Sequence, residues 1–185
     1  LDFWANMVRF LSMEGSWLKR SAYSSTITTI GSILSWFLRL YSTIVLVFFL
    51  DRVSKIKIIN HQLDNERVYI NDFINLDLVW NTGIGFGLLS FETNLIYNII
   101  TFVICVIILI LFYASITSEK SEKLIFSIII GGAIGNLYDR LFYKAVPDFI
   151  DLHYNSFHWF TFNVADIFIT IGIIVFLIKG FFIRK

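Results

Sequence analysis

Four long apolar runs dominate the pattern of hydrophobic and polar positions along the chain. They cover Ile30–Leu50, Leu95–Ala114, Leu124 to about Leu141, and Val164 to about Phe182. A helix needs about 20 mostly apolar residues to cross a bilayer, and soluble core helices rarely contain so many in succession. The pattern therefore predicts an all-α polytopic membrane protein with four transmembrane helices. Arg39 interrupts the first run and is a candidate for its cytoplasmic edge.

Two connecting stretches are too long to be simple turns. Residues 51–93 are half polar, and within them residues 74–80 show an alternation of period two, which predicts a strand. Residues 142–162 are rich in aromatic side chains and histidine. We expect both stretches to form a small outward-facing layer, a β-cradle with loops, whose Trp and Tyr side chains lie at the level of the lipid headgroups.

Composition supports this class and narrows the range of partners. The chain is 57% hydrophobic and has a formal net charge of +1, and its scattered charges argue against a nucleic-acid partner. Cys105 is the only cysteine, which excludes an intrachain disulfide and a thiolate metal site. Basic residues near the span ends give a slight bias that favours both termini in the cytoplasm and the two long stretches outside.

Two carboxylates lie at the ends of neighbouring spans. Asp139 ends the run GGAIGNLYDR in the third span, and Asp166 opens the fourth span in FNVAD. Because consecutive spans run in opposite directions, we expect both to lie at the same depth near the outer surface. Ionisable residues at such depth usually mark a functional site. The alternative is structural: Asp139 pairs with Arg140, and Asp166 begins a helix, where an acid suits the helix dipole.

The residues around the two carboxylates favour the functional interpretation. Asn136 and Asn163 each precede one of them by three positions, so each amide shares a helix face with its Asp. Gly131 and Gly135 form a GxxxG pattern with Gly132 alongside, which lets another helix or an extended substrate approach this backbone.

Paired carboxylates suit hydrolysis of a peptide bond. Like charges close together do not both ionise easily, so one Asp acts as base on a water while the other, protonated, polarises a carbonyl. The chain has no HExxH zinc motif and no GxSxG nucleophile elbow. The three histidines lie at no familiar metal-ligand spacing; they are His61, His153 and His158.

Five motifs resemble, in the same order, those of the lipoprotein signal peptidase (signal peptidase II) family, whose members are bacterial intramembrane aspartyl peptidases. They are DRVSK, NTGIGF, GGAIGNLYDR, VPDFIDLHY and FNVAD. DRVSK is similar to the family's D-Q-x-S/T-K, and NTGIGF to its N-x-G-A-A-F. The resemblance covers about residues 38–182. In the glycine-rich motif NTGIGF it places the side-chain amide of Asn81 at one of the family's motif positions.

The resemblance implies cleavage of the signal peptide of diacylglyceryl-modified prolipoproteins, on the amino side of the lipidated cysteine. Asp139 and Asp166 match the catalytic pair. Other motif positions would shape the site or hold the substrate; these are Asn81, Gly132, Asn136, Arg140 and Asn163. Structural roles are implied for four further motif residues, Asp51, Lys55, Asp148 and Asp151. The resemblance implies no metal, no cofactor and no obligate protein partner. It places the enzyme in the bacterial inner membrane with its active site near the outer leaflet.

The chain departs from the family pattern in three places. Arg52 stands where Gln is usual, and Ile84 and Gly85 replace two alanines. Residues 1–35 have no counterpart, which predicts an N-terminal extension followed by a peptidase domain over residues 36–185. Two interpretations of the extension stay open: an extra amphipathic segment on the cytoplasmic surface, or a reading frame begun too far upstream.

Two other classes remain as alternatives. A small proton-coupled transporter or channel subunit also keeps intramembrane carboxylates, and its Asp→Asn variants would lose ion flux. A purely structural four-helix scaffold would tolerate the same changes.

Overall fold

The computed structural model describes residues 2–64, 67–83 and 94–182, in two compact units, Leu1–Arg39 and Leu40–Lys185. The helices are α1 (Asp2–Asp64), α2 (Asn94–Thr117), α3 (Lys120–Tyr143) and α4 (Val164–Phe182). The strands are β1 (Val68–Asn71), β2 (Ile74–Asn81), β3 (Val146–Tyr154) and β4 (Phe157–Phe162).

The prediction of four transmembrane helices is confirmed. Within the described residues, four helical segments have the length and apolar composition to cross a membrane, namely Thr26–Gln62, Leu95–Thr117, Lys120–Tyr143 and Val164–Phe182. The domain boundary between residues 35 and 36 stays a prediction.

The first helix does not end where its apolar run ends at Leu50, because α1 continues through DRVSK to Asp64. Asp51 and Lys55 are one helical turn apart, and both side chains are fully buried. Lys55 Nζ donates to Asp51 Oδ2 over 2.8 Å. The charged residues therefore do not end the helix, since they find partners inside the protein.

The predicted β layer is a four-stranded antiparallel sheet in the order β1-β2-β3-β4. The alternating residues 74–80 lie in β2, as predicted, and the aromatic, histidine-rich stretch forms β3 and β4. β2 pairs with β3, and Asn81, the last residue of β2, lies opposite Val146, the first residue of β3. The sheet thereby places Asn81 and β3 beside the start of α4.

Helix α3 packs against its neighbours through glycines. A Cβ atom on Gly131 would lie 2.8 Å from the Cβ of Val47 on α1, and one on Gly132 would lie 2.7 Å from the carbonyl oxygen of Ala165 on α4. Such distances leave room only for hydrogen, so the GxxxG segment serves close helix approach. The C-terminal half of α3 is consequently held between residues 47–55 of α1 and the first turn of α4.

We predict that Gly132→Ala destabilises the protein by about 1–3 kcal/mol. The added methyl group would clash with the backbone of Ala165, which cannot turn aside as a flexible side chain can. Gly180→Ala is the matched control, since nothing lies within 4 Å of a Cβ atom there. Thermal unfolding in detergent should show a fall of several degrees for the first variant and none for the second. Equal unfolding temperatures would contradict this account of the packing.

Candidate active site

The buried ammonium group of Lys55 connects α1 to α3. Its Nζ donates to Asp51 Oδ2 at 2.8 Å, to Asn136 Oδ1 at 2.9 Å and to Asp139 Oδ2 at 2.7 Å. An ammonium has three donors, so Lys55 is fully satisfied although its side chain is completely buried. A single charge thus fixes the positions of two carboxylates and one amide.

Each oxygen of Asp139 lies in an ion pair with a residue of α1. Oδ2 accepts from Lys55, and Oδ1 lies 2.6 Å from Arg52 Nη1 in a second ion pair. The guanidinium of Arg52 also lies 4.8 Å from the ring centroid of Tyr138 and 5.9 Å from that of Tyr143. The expected partner in the structural alternative was Arg140, whereas the structure pairs Asp139 with two residues of α1.

Asp166 is held by neutral amide groups. Asn163 and Asp166 form reciprocal bonds at the start of α4, from Asn163 N to Asp166 Oδ2 and from Asp166 N to Asn163 Oδ1, each of 3.1 Å. This is a capping box with Asn and Asp in its two positions. Asn136 Nδ2 donates to Asp166 Oδ1 over 2.7 Å. The amide of Asn136 therefore orients the Asp of the next helix, not the Asp three residues along its own.

Asp51 completes the first turn of α4. Its Oδ1 accepts a hydrogen bond of 3.0 Å from the backbone N–H of Ala165. The first N–H groups of a helix lack partners within it, and the helix dipole favours a negative charge there. Asp51 thus binds α4 with one oxygen and Lys55 with the other.

A fourth carboxylate, Asp148 on β3, lies near Asp166. It accepts from Asn81 Nδ2 over 2.9 Å and from Asn163 Nδ2 over 2.6 Å, and it is 4% exposed. Burial raises the pKa of Asp148 to about 6; the hydrogen bond from Asn81 opposes this, and the negative charge of Asp166 adds to it. The Asp148 carboxyl group therefore keeps a proton to a higher pH than an ordinary Asp.

Arg140 is anchored by one nitrogen and a ring. Its Nη2 donates to the carbonyl oxygen of Gly83 over 2.9 Å, and its guanidinium lies 5.5 Å from the ring centroid of Tyr97. Among the described residues, nothing accepts a hydrogen bond from its buried Nε and Nη1. Arg140 thus has donors left for a group that enters the site.

These residues meet at a cavity of about 580 Å³ between the sheet, α3 and α4, which we call the polar cavity. Its polar lining includes Asn81, Asn136, Arg140, Asp148, Asn163 and Asp166. Five of the seven predicted site residues are in this set. The other two, Asp139 and Gly132, are not among its lining residues: Asp139 faces the cations of α1, and Gly132 contacts α4.

Sequence reasoning underestimated Asp148, Lys55 and Arg52. The signal for Asp148 was an acid inside the otherwise apolar stretch VPDFI, since Asp is rarely fully buried unless it is paired. For Lys55 the signal was its spacing of four from Asp51 on a helix. The structural roles implied for Asp51 and Lys55 fit their contacts. Ile84 and Gly85, the departures in NTGIGF, lie outside the described residues.

The described part of the chain contains no group of three or more His, Cys, Asp or Glu residues suited to a metal ion. His158 instead pairs with Asp151 at 2.8 Å, and its ring stacks on His153 with centroids 5.4 Å apart. Both contacts lie in the β3–β4 hairpin, among residues that do not line the polar cavity.

Comparisons with known proteins identify the group to which the chain is similar. The sequence profile of signal peptidase (SPase) II matches residues 43–182. The lipoprotein signal peptidase of Pelagibacter ubique is 47% identical over 145 residues, which covers 77% of this chain and 87% of the relative. That of Anaplasma phagocytophilum is 42% identical over 134 residues, covering 71% of this chain and 84% of the relative. A solved structure described as a bacterial membrane enzyme matches with a TM-score of 0.62 at 29% identity, over 79% of this chain and 91% of that chain.

We predict that Lys55→Met destabilises the protein by about 3–5 kcal/mol, because Asp51 and Asp139 would remain buried without their shared cation. Lys57→Met, two residues along the same helix at an exposed position, is the control and should leave stability nearly unchanged. Chemical or thermal unfolding in detergent measures both. A Lys55→Met protein as stable as wild type would exclude the ammonium as the centre of this network.

A second prediction concerns pH. The pKa of Asp148 is about 6 in the folded protein, against 3.8 for an unperturbed Asp. Below about pH 4 the Asp148 carboxyl group is protonated in the folded protein and in the unfolded chain. Between pH 4 and 6 the unfolded chain loses this proton, whereas the folded protein keeps it. Asp148 should therefore reduce the stability of the folded state by about 3 kcal/mol as the pH rises through this window.

The measurement is the unfolding free energy of wild type and Asp148→Asn from pH 4 to pH 7 in one detergent. The unfolding free energy of wild type should fall relative to that of Asp148→Asn as the pH rises. A difference that is constant with pH, or that shifts the other way, contradicts the raised pKa.

Proposed function

Because the chain belongs to the signal peptidase II family, we propose that it removes the signal peptide from diacylglyceryl-modified prolipoproteins, cutting on the amino side of the lipidated cysteine. Membership of the family makes the chain a peptidase, and its four apolar helices and bacterial relatives fit a multi-pass protein of the bacterial inner membrane. The relatives named lipoprotein signal peptidase support prolipoproteins as the substrate class.

The observation that carries the mechanism is the position of Asp148 near Asp166, with both carboxylates hydrogen-bonded to Asn163. Both line the polar cavity, and the hydrogen bonds described for them come from amide and backbone N–H groups, with no ion pair. Two such carboxylates share one proton readily. Asp139 as the partner of Asp166 stays a prediction from the resemblance. The geometry favours Asp148, because the oxygens of Asp139 lie in ion pairs with Lys55 and Arg52.

In this mechanism the two carboxylates hold one proton between them. The ionised one takes a proton from a water molecule, whose oxygen attacks the carbonyl carbon of the scissile peptide. The protonated one donates to the carbonyl oxygen, which gives a neutral tetrahedral diol. The diol then collapses: the C–N bond breaks, the nitrogen receives a proton from the pair, and a diol hydroxyl returns one. The products are a carboxylic acid and a free amine, and the pair again holds one proton.

The neighbouring polar groups would position the substrate. Asn81, Asn136 and Asn163 fix the two carboxylates through their side-chain N–H groups. The free donors of Arg140 are suited to a carbonyl oxygen of the substrate backbone, which would orient the scissile peptide over the pair. Both termini in the cytoplasm would place this cavity near the outer leaflet, where the substrate is anchored.

The test is cleavage of a diacylglyceryl-modified prolipoprotein by detergent-purified protein, without an ion gradient. Asp148→Asn and Asp166→Asn should each lower the rate by at least about 100-fold, since each removes a general acid–base group. Asp151→Asn is the matched control: it lies on the same strand and is equally buried, but does not line the polar cavity. Asp139→Asn should lower the unfolding temperature and keep measurable cleavage. A chelator in a parallel reaction should have no effect.

The outcomes separate the alternatives. A folded Asp139→Asn protein that is inactive, beside an active Asp148→Asn protein, would assign the pair to Asp139 and Asp166. Folded wild type that does not cleave the substrate would exclude the peptidase, and ion flux in proteoliposomes would become the next assay.

A further inference from the structure

A second cavity of about 380 Å³, which we call the apolar groove, continues from the polar cavity toward the other end of the helices. The two share Ile104 and Asn136 in their linings. Apart from Asn136, every residue lining the groove is apolar, with side chains from α2, α3 and α4. The groove therefore begins at the residue that orients Asp166 and runs into the hydrocarbon depth of the bundle.

The groove has a floor. Phe126 on α3 and Phe176 on α4 close its far end, with ring centroids 5.2 Å apart. Below them Lys179 Nζ donates to Ser121 Oγ over 2.7 Å and to Glu122 Oε1 over 3.1 Å, which ties α3 and α4 together. Asn136 and Phe126 are ten residues apart on α3, so the groove is about 15 Å deep.

We propose that the apolar groove holds one acyl chain of the substrate's diacylglyceryl group, and that the phenylalanine floor limits the length of chain that is accepted. This rests on the proposed function and adds a specificity determinant to it. A groove that opens at the catalytic carboxylates receives a chain attached beside the scissile bond. The distance from Asn136 to the floor then sets how much of that chain the groove takes in.

The lining of the groove favours an acyl chain over an extended stretch of the signal peptide. An acyl chain is a single file of methylene groups and needs no hydrogen-bond partner. A lining with no polar group beyond Asn136 can satisfy such a chain, whereas it offers nothing to a peptide backbone.

The test uses Ile173→Trp, with Ile174→Trp as its control. The two isoleucines are neighbours on α4 and are similarly exposed, at 45% and 49%, but only Ile173 lines the groove. Cleavage is measured for prolipoproteins that carry octanoyl or hexadecanoyl chains and are otherwise identical. Ile173→Trp should raise KM for the hexadecanoyl substrate roughly tenfold, the scale of one packing misfit, with kcat little changed. The octanoyl substrate and the control should change by less than about twofold.

A second variant tests the floor in the opposite direction. Phe176→Ala should lower KM for a substrate with octadecanoyl chains relative to the hexadecanoyl one, because the groove becomes deeper.

If Ile173→Trp and Ile174→Trp have the same dependence on chain length, bilayer lipid or detergent fills the groove and the inference fails, while continued cleavage keeps the proposed function. If folded wild type cleaves neither substrate, both proposals fail.

Discussion

The structure around the polar cavity depends on one buried ion, the ammonium of Lys55. It is completely buried and compensated by two carboxylates and an amide oxygen. The desolvation of a buried charge is tolerable only when all its donors are used, as they are here. Through Asp51 the ion acts on the first turn of α4, and through Asn136 it acts on Asp166. Three helices are therefore positioned by a network with a single cation at its centre.

The four carboxylates of this network fall into two kinds. Asp51 and Asp139 bind cations, whereas Asp148 and Asp166 bind amide and backbone N–H groups. The first kind is suited to holding helices in place, because a buried ion pair resists movement. The second kind is suited to proton transfer, because an amide donor orients a carboxylate and still permits it to be protonated.

Hydropathy predicted the four spans, and alternation predicted β2, because both properties are local in sequence. The length of α1 was not predictable in this way, since the charges of DRVSK are satisfied by α3 and α4. The same holds for the site. The motifs found five residues that line the polar cavity, but the contacts of Asp139 and Asp148 depend on long-range packing. Which Asp faces the cavity is decided by Arg52 and Lys55 on α1, more than eighty residues away from Asp139 in sequence.

The bond from Ala165 to Asp51 has a consequence for the order in which the protein is built. When α1 first enters the bilayer, Asp51, Arg52 and Lys55 have none of their partners from α3 and α4, which are made later. Unpaired charges do not stay in hydrocarbon, so this end of α1 must remain at the water interface until the later helices arrive. Assembly of the bundle then draws the charged turn of α1 out of water. The polar cavity and the final depth of the first helix consequently form in the same step.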